Sequence, residues 1–586
     1  MAFSFFKKLT SAIMASAVIL TGTGLSSGSS ADVAAAPDEY HDDWLHVNEN
    51  AEIVDMYGNP VWLTGCNWFG YNTGSQVFDG VWSLNMHEAL NQIADHGFNL
   101  LRVPMSTQLL LGWKNNEPDP ICKVNEWSNP ELTLEGIEGG TVMYSFDIWN
   151  LAVEWCRENG IKIMMDIHSA ETASAGHQHP VWYTNNYTTE DWLEALAWFA
   201  EYYKDDDTII AIDLKNEPHG KKDEGTFAKW DDSTDINNWK YAAEQGAAAV
   251  LEQNPNLLVM IEGIEVYPKF EEGADWNSVG NDYSLPPYPY SNFHGTWWGG
   301  NFRGVKDHPI DLGEHQDQLV YSPHDYGPLV YNQTWFYDGF TQDTLMEDVW
   351  YDNWFFIQDE KIAPLLMGEW GGFLDDEHDA DGKNKLWMTS LRDLMIEHRI
   401  HHTFWCFNEN SSDTGGLIAG GTNWAEWDEV KYEFVEPSLW QNDEGKYISL
   451  DHQIPLGKSG NGISLSDHYS GSQPETSEPD TTQPETTEPA TEPTSDPTTS
   501  TTAPVTETTD GEEDIVYGDA NCDGTVAIAD VVAIMMHCST PGGTLSAEGR
   551  ILADVYQRGD DVSNMDALAV QKKIAQLIQS LPESFM

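Results

Sequence analysis

Positive charge is what this chain has least of. Its 586 residues hold 28 Lys and Arg against 96 Asp and Glu, a formal net charge of −68. No basic face is available to neutralise phosphates, which argues against a nucleic-acid or anionic-membrane partner. Cysteine is scarce as well, six in all. Their spacings form no zinc pattern and leave disulfide pairing open, and Cys156 reads as a buried helix residue. Past the N-terminus no segment has the length and purity of a membrane-spanning helix. No glycine-rich phosphate loop follows the first strand pattern, which argues against a doubly wound nucleotide-binding sheet.

What is abundant is tryptophan, 25 residues, a side chain suited both to cores and to stacking on sugars. The length points to several domains. Residues 1–36 read as an export signal: Lys7 and Lys8 precede an apolar run from Leu9 to Leu20, then small residues extend to Ala36. Cleavage between Ala31 and Ala36 makes the protein secreted and extracellular. A retained anchor is the alternative, although the run is too short to span a bilayer stably.

Residues 37–460 form the expected catalytic domain. Eight short apolar runs, at 61–68, 99–105, 161–168, 209–217, 257–263, 319–326, 364–371 and 401–408, alternate with amphipathic stretches at 85–96, 146–159, 189–204, 235–254 and 383–399. Thr188 and Asp191 offer a capping box to the third stretch, and Gly97 and Gly160 stand just past the ends of the first two. Strands alternating with helices over this length predict an α/β fold, an eight-stranded (β/α)8 TIM barrel. Residues 466–514, dominated by Thr, Pro, Glu and Ser, read as a linker that buries no core. Residues 515–586 regain apolar periodicity and predict a small all-α domain. There Asp519, Asn521, Asp523, Thr525 and Asp530 fall on ligand positions 1, 3, 5, 7 and 12 of a calcium loop, with Gly524 at the sharp turn; position 7 offers its carbonyl. A second copy from Asp554 to Asp566 has one residue too many and puts Tyr556 and Arg558 at ligand positions, so metal binding and a plain turn are both open there.

Each barrel run closes on a polar or aromatic residue: Trp68, Arg102, His168, Asn216 with Glu217, His324 with Tyr326, Glu369, and Trp405. Together they predict one site at the C-terminal face. Glu217 and Glu369, on the fourth and seventh strands, can flank a glycosidic bond, one protonated to donate to the leaving oxygen and one ionised to attack. Asn216 can bond a sugar 2-hydroxyl, Arg102 and Tyr326 can keep Glu369 ionised, and His168 and His324 can line the subsite. Trp182, Trp297 and Trp298, in loops after the third and fifth strands, are either sugar platforms or loop packing.

The stretches TGCNWFG, NLLRVPM, IDLKNEPH, YSPHDY, MGEWG and FWCFNENSSDTGG, in this order, resemble glycoside hydrolase family 5, in particular its bacterial endoglucanases. The resemblance spans about 42–456. It implies a retaining endo-β-1,4-glucanase with Glu217 as general acid/base and Glu369 as nucleophile, needing no cofactor for catalysis. By the same match Arg102, His168, Asn216, His324, Tyr326 and Trp405 fall on conserved active-site positions. Mannan, xyloglucan or mixed-linkage glucan are alternative substrates for the same mechanism, and a non-catalytic carbohydrate-binding barrel is the alternative from another class. The tail resembles a dockerin, which implies Ca2+ binding and a cohesin-bearing scaffold as partner.

Overall fold

The computed structural model describes residues 43–117, 122–278 and 292–470, with isolated residues between 517 and 573. The chain divides into two units, one ending at Glu478 and the other beginning at Pro479.

Eight parallel strands build the first unit: β1 (Thr64–Asn67), β2 (Leu100–Ser106), β3 (Lys162–Ser169), β4 (Ile209–Asp213), β5 (Leu258–Ile261), β6 (Leu319–Tyr321), β7 (Leu366–Met367) and β8 (His401–Phe404). Their hydrogen-bonded order is β6–β5–β4–β3–β2–β1–β8–β7. Bridges between Tyr321 and Leu365 and between His324 and Glu369 join β6 to β7 and close the cylinder. The expected (β/α)8 barrel forms, each strand starting inside one of the eight apolar runs and β2 and β3 extending one residue past theirs.

The two-residue period of a strand separates two cores. Leu101, Val103, Met165, Ile167 and Ile212 face outward into the helix layer. Leu100, Met164, Ala211, Leu258, Met260, Val320 and Leu366 face inward and fill the lower barrel. The floor is sealed by Leu45, Trp62, Trp440 and Leu465. There the buried Lys162 ammonium bonds Asp43 at 2.6 Å and lies 3.4 Å from Asp207 and 3.3 Å from Asp451. One layer higher the inward positions turn polar, with Arg102, Asp166 and Asp213 in contact with one another. Arg102 is therefore not a strand-end residue, as its run suggested: β2 continues past it to Ser106.

Helix α1 (Met86–Asp95) is capped by Asn85, which accepts from the Glu88 N–H, and the chain then turns at Gly97 with φ 90°. Helices α2 (Thr107–Lys114), α3 (Ser145–Glu158), α4 (Thr189–Tyr202), α5 (Trp239–Leu251) and α6 (Lys383–His398) follow, and the Thr188–Asp191 capping box opens α4 on both of its bonds. Between β5 and β6 the described residues hold no α-helix. An antiparallel pair, Val266–Pro268 with Phe293–Gly295, and short 3-10 turns stand in its place. A short helix, Leu465–Ser470, extends into the start of the stretch read as linker, with Leu465 buried in the floor.

In the second unit Ala520, Val531, Ile534, Ala553, Val555 and Val570 form a small buried cluster, and Ala547–Ala553 is helical. The calcium-ligand candidates Asp519, Asn521, Asp523, Thr525 and Asp530 lie outside the described residues, as do the export signal and most of the linker. Among the described residues no helix is long and apolar enough to cross a membrane.

Candidate active site

Two glutamates meet at the mouth of the barrel. Glu217 leaves the end of β4 in a left-handed turn, φ 52°, ahead of Pro218. That conformation is costly for a residue with a Cβ and persists only where the surroundings impose it. Here the Glu217 N–H donates to Glu262 Oε2 at 2.7 Å, and Gly299 passes so close that a Cβ on it would lie 2.1 Å from that oxygen. Glu369 is brought alongside by the β6–β7 closure through His324. One oxygen of Glu217, one of Glu369 and one nitrogen of His324 all lie within 4.8 Å of one another.

The two carboxyls have different neighbours. Glu369 Oε1 accepts from Arg102 Nη1 at 2.8 Å and Oε2 from the Tyr326 hydroxyl at 2.6 Å. Burial pushes its pKa up, to about 7, against the opposing pull of Arg102 and Tyr326. Among the described residues the Glu217 carboxyl has one hydrogen-bond partner, the Nδ1 of His324, at 3.2 Å. Burial and the nearby Glu369 charge raise it well above the usual carboxylate range. The pair is thus poised as one readily ionised and one proton-retaining carboxyl, the division of labour that acid–nucleophile chemistry needs.

Arg102 organises this. Its buried guanidinium reaches Asp213 at 2.9 Å, Asp166 at 3.3 Å, Glu262 at 3.5 Å and Glu369 at 2.8 Å. It also donates to Asn67 Oδ1 and Asn216 Oδ1, each at 3.0 Å. With its oxygen so held, the Asn216 amide presents its NH2 to the cleft. His168 Nδ1 is fixed by Asp166 at 2.7 Å, and its ring lies parallel to that of Trp405 at 5.8 Å. Burial, with Arg102 adding to it, drives both His168 and His324 well below their ordinary pKa, so both imidazoles are neutral.

The cleft above has a volume of about 760 Å³, and Phe69, His168, Asn216, Trp297, Trp298 and Trp405 contribute to its walls beside the two glutamates. Trp405 stacks on Phe69 at 5.6 Å, Trp298 on His219 at 3.7 Å, and Trp297 meets Tyr326 edge-on at 6.0 Å. Two of the expected site residues, Trp68 and Trp182, do not belong here. Trp68 follows the inward-facing Asn67, so its ring points outward into the helix layer. It stacks on Phe78 at 4.1 Å and donates to the Asp79 carbonyl. Trp182 is buried between Trp192 and Trp239 and donates to Thr189 Oγ1. Both are packing residues. Conversely, Asn67, Asp166, Asp213 and Glu262 belong to the site and were not picked out from the sequence. Their signal was the strand period, since each occupies an inward position or closes a strand.

A parallel eight-stranded barrel with two unequal carboxyls at its C-terminal mouth and an aromatic-lined open cleft defines a glycoside hydrolase. Sequence comparison agrees. The cellulase family profile, glycosyl hydrolase family 5, matches residues 54–411. The chain is 46% identical to Endoglucanase G of Acetivibrio thermocellus, over 86% of both chains. It is 41% identical to Endoglucanase B of the same organism, over 78% of this chain and 82% of that one. The endocellulase of the archaeon Pyrococcus horikoshii has a similar solved structure, with TM-score 0.57 and 29% identity over 68% of this chain and 98% of that one. The catalytic domain of the major endoglucanase of Xanthomonas campestris pv. campestris matches with TM-score 0.54 and 28% identity, over 67% of this chain and 99% of that one. The chain belongs to glycosyl hydrolase family 5 and is an endoglucanase.

Proposed function

We infer that this enzyme cleaves internal β-1,4 bonds of cellulose by double displacement with net retention. The observation that carries this reading is the separation of the two carboxyls, with oxygens within 4.8 Å of each other. Retaining enzymes hold their carboxyl groups about 5–5.5 Å apart, whereas inverting ones leave room for a water between them. In the first step Glu369, ionised and oriented by Arg102 and Tyr326, attacks the anomeric carbon. Glu217 gives its proton to the leaving oxygen, and a glycosyl–Glu369 ester forms. In the second step Glu217, now ionised, takes a proton from water, which displaces Glu369. The Asn216 NH2 is placed to bond the 2-hydroxyl as positive charge develops on the sugar ring. A cellulosic substrate is favoured by the solved complexes of the Pyrococcus horikoshii endocellulase with cellotetraose.

Nuclear magnetic resonance of a soluble cellulose derivative during early hydrolysis tests the stereochemistry. The β-anomer is expected first, and initial formation of the α-anomer overturns retention. Glu217→Gln and Glu369→Gln are each expected to abolish nearly all activity with folding intact. A polysaccharide panel including mannan, xyloglucan and mixed-linkage glucan ranks the substrates.

The reading extends to the chain's ends. The enzyme is secreted, and its tail binds Ca2+ and docks to a cohesin-bearing scaffold, on the strength of the loop spacing Asp519–Asp530 behind a Thr/Pro linker. Capture by a cohesin should disappear in a chelator; unchanged capture sinks the docking reading.

A further inference from the structure

We propose that Glu262 is a positioning residue for the acid/base, holding the Glu217 backbone with one oxygen and, through the tautomer of His324, the Glu217 proton with the other. The proposal rests on Glu217 being the acid/base.

Glu262 follows β5 and is fully buried. Its Oε2 accepts the Glu217 N–H at 2.7 Å. Its Oε1 lies 3.2 Å from His324 Nε2 and 3.5 Å from Arg102 Nη2. The opposite nitrogen of the same imidazole, Nδ1, is 3.2 Å from Glu217 Oε1. Nε2 is a buried nitrogen with no aligned hydrogen-bond partner in this arrangement, and a buried polar atom left so is costly. Glu262 Oε1, at 3.2 Å, is a carboxylate oxygen in reach of it.

A neutral imidazole carries one hydrogen, and its two nitrogens then play opposite roles. With the hydrogen on Nε2, facing Glu262, Nδ1 offers a lone pair and accepts from a protonated Glu217. With the hydrogen on Nδ1, His324 donates to an ionised Glu217, and the bare Nε2 faces the oxygens of Glu262. Burial and the Asp213 charge raise Glu262 well above the usual carboxylate range, against the pull of Arg102. In its ionised form Glu262 selects the first state, the one that keeps the acid loaded before glycosidic cleavage. The groups that face this chain from the neighbouring strands are Arg102 from β2, Asp166 and His168 from β3, Asp213 and Lys215 at the end of β4, and Glu369 beyond β7.

Glu262→Gln tests this. Gln keeps the acceptor for the Glu217 N–H but offers an NH2 toward His324, reversing the tautomer. The readout is kcat/KM on two aryl cellobiosides. One has a poor leaving group that needs the acid, and the other is a dinitrophenyl ether that departs largely unaided. The first is expected to fall about tenfold or more, within the range general acid catalysis supplies, and the second to fall far less. The alkaline limb of kcat/KM is expected to move to lower pH, because the reversed His324 tautomer gives Glu217 a donor. Equal losses on both substrates, or no loss on either, overturn the proposal. Glu217→Gln on the same two substrates separates the readings. If Glu217 is not the acid, its own variant shows no leaving-group selectivity. If only the Glu262 inference fails, Glu217→Gln remains selective and Glu262→Gln does not. Should Glu262→Gln fail to fold, 15N-histidine spectra of the unsubstituted enzyme decide. His324 protonated on Nε2 below the alkaline limb supports the relay, and protonation on Nδ1 there overturns it.

Discussion

Removing one hydroxyl hydrogen should displace one side of the pH profile and leave the other in place. Tyr326 donates to Glu369 Oε2 at 2.6 Å, and its ring meets Trp297 edge-on at 6.0 Å. Tyr326→Phe keeps the ring and deletes only the donor. Among the described residues His324 Nδ1 lies 3.7 Å from that oxygen, too far to take the place of the hydroxyl. A donor to an ionised carboxylate stabilises the charged form and so lowers its pKa; deleting it must raise the pKa. A hydrogen bond to a charged group is worth about 1.5–3 kcal/mol and one pKa unit about 1.4 kcal/mol, so the shift is roughly one to two units. Glu369 starts at about 7. The acid limb of kcat/KM therefore moves alkaline by that amount. The alkaline limb, set by Glu217, stays in place, so the bell narrows and its maximum drops. The assay is kcat/KM on an aryl cellobioside from pH 4 to 9, with a thermal melt of each variant to confirm folding. An acid limb unmoved in Tyr326→Phe would falsify the assignment of Glu369 as the group that must be ionised.

Three further outcomes are expected. In Gly299→Ala the new Cβ would lie 2.1 Å from Glu262 Oε2 at a backbone with φ 71°; displacing Glu262 and Glu217 by an ångström should cost kcat/KM about 100-fold, and an active variant contradicts the close packing. Trp182→Ala should destabilise the fold by about 3–5 kcal/mol, as for a buried aromatic, whereas Trp298→Ala should raise KM with little change in melting temperature; the reverse pattern exchanges their roles. His452 lies 2.6 Å from Asp43 and 3.1 Å from Asp55. Burial alone would lower its pKa, but the two carboxylates reverse this and raise it to about 9. A raised histidine stabilises fully below its unfolded pKa, near 6.5, and ceases to do so as pH climbs through 9. Melting temperature should therefore fall more steeply from pH 6.5 to 9 in the unsubstituted enzyme than in His452→Gln, and parallel curves refute the linkage.

The strands were legible because each is a short apolar run closed by a breaker. Glu217 was legible because a carboxylate before proline ends such a run. Trp68 and Trp182 misled because composition does not distinguish a tryptophan facing the cleft from one facing the helix layer. For Trp68 the strand period does, since Asn67 takes the inward place. The acidic layer was hidden for a different reason. Asp166 and Asp213 sit inside their runs, and a lone aspartate there reads as an interruption. Only the register that brings Asp166 beside Asp213 and both against Arg102 gives them a meaning.

That register also explains why the carboxyls of Glu217 and Glu369 differ. Five carboxyls, from Asp166, Asp213, Glu217, Glu262 and Glu369, share the layer with at most two cations: Arg102, which the surrounding carboxyls keep charged, and Lys215, whose pKa burial lowers. With His168 and His324 neutral, full ionisation would leave at least three uncompensated negative charges in a buried volume. Burial accordingly raises Asp166 and Asp213 to about 6 and holds Glu262 and Glu217 well above the usual carboxylate range. Protons must stay somewhere in the layer, and the local contacts decide where. Glu369 has a guanidinium and a phenol pointed at its oxygens and ionises readily. Glu217 has a neutral imidazole and no cation within ion-pair distance among the described residues, and it keeps its proton. The asymmetry that the proposed double displacement needs is thus a property of the whole layer, set by where one arginine points.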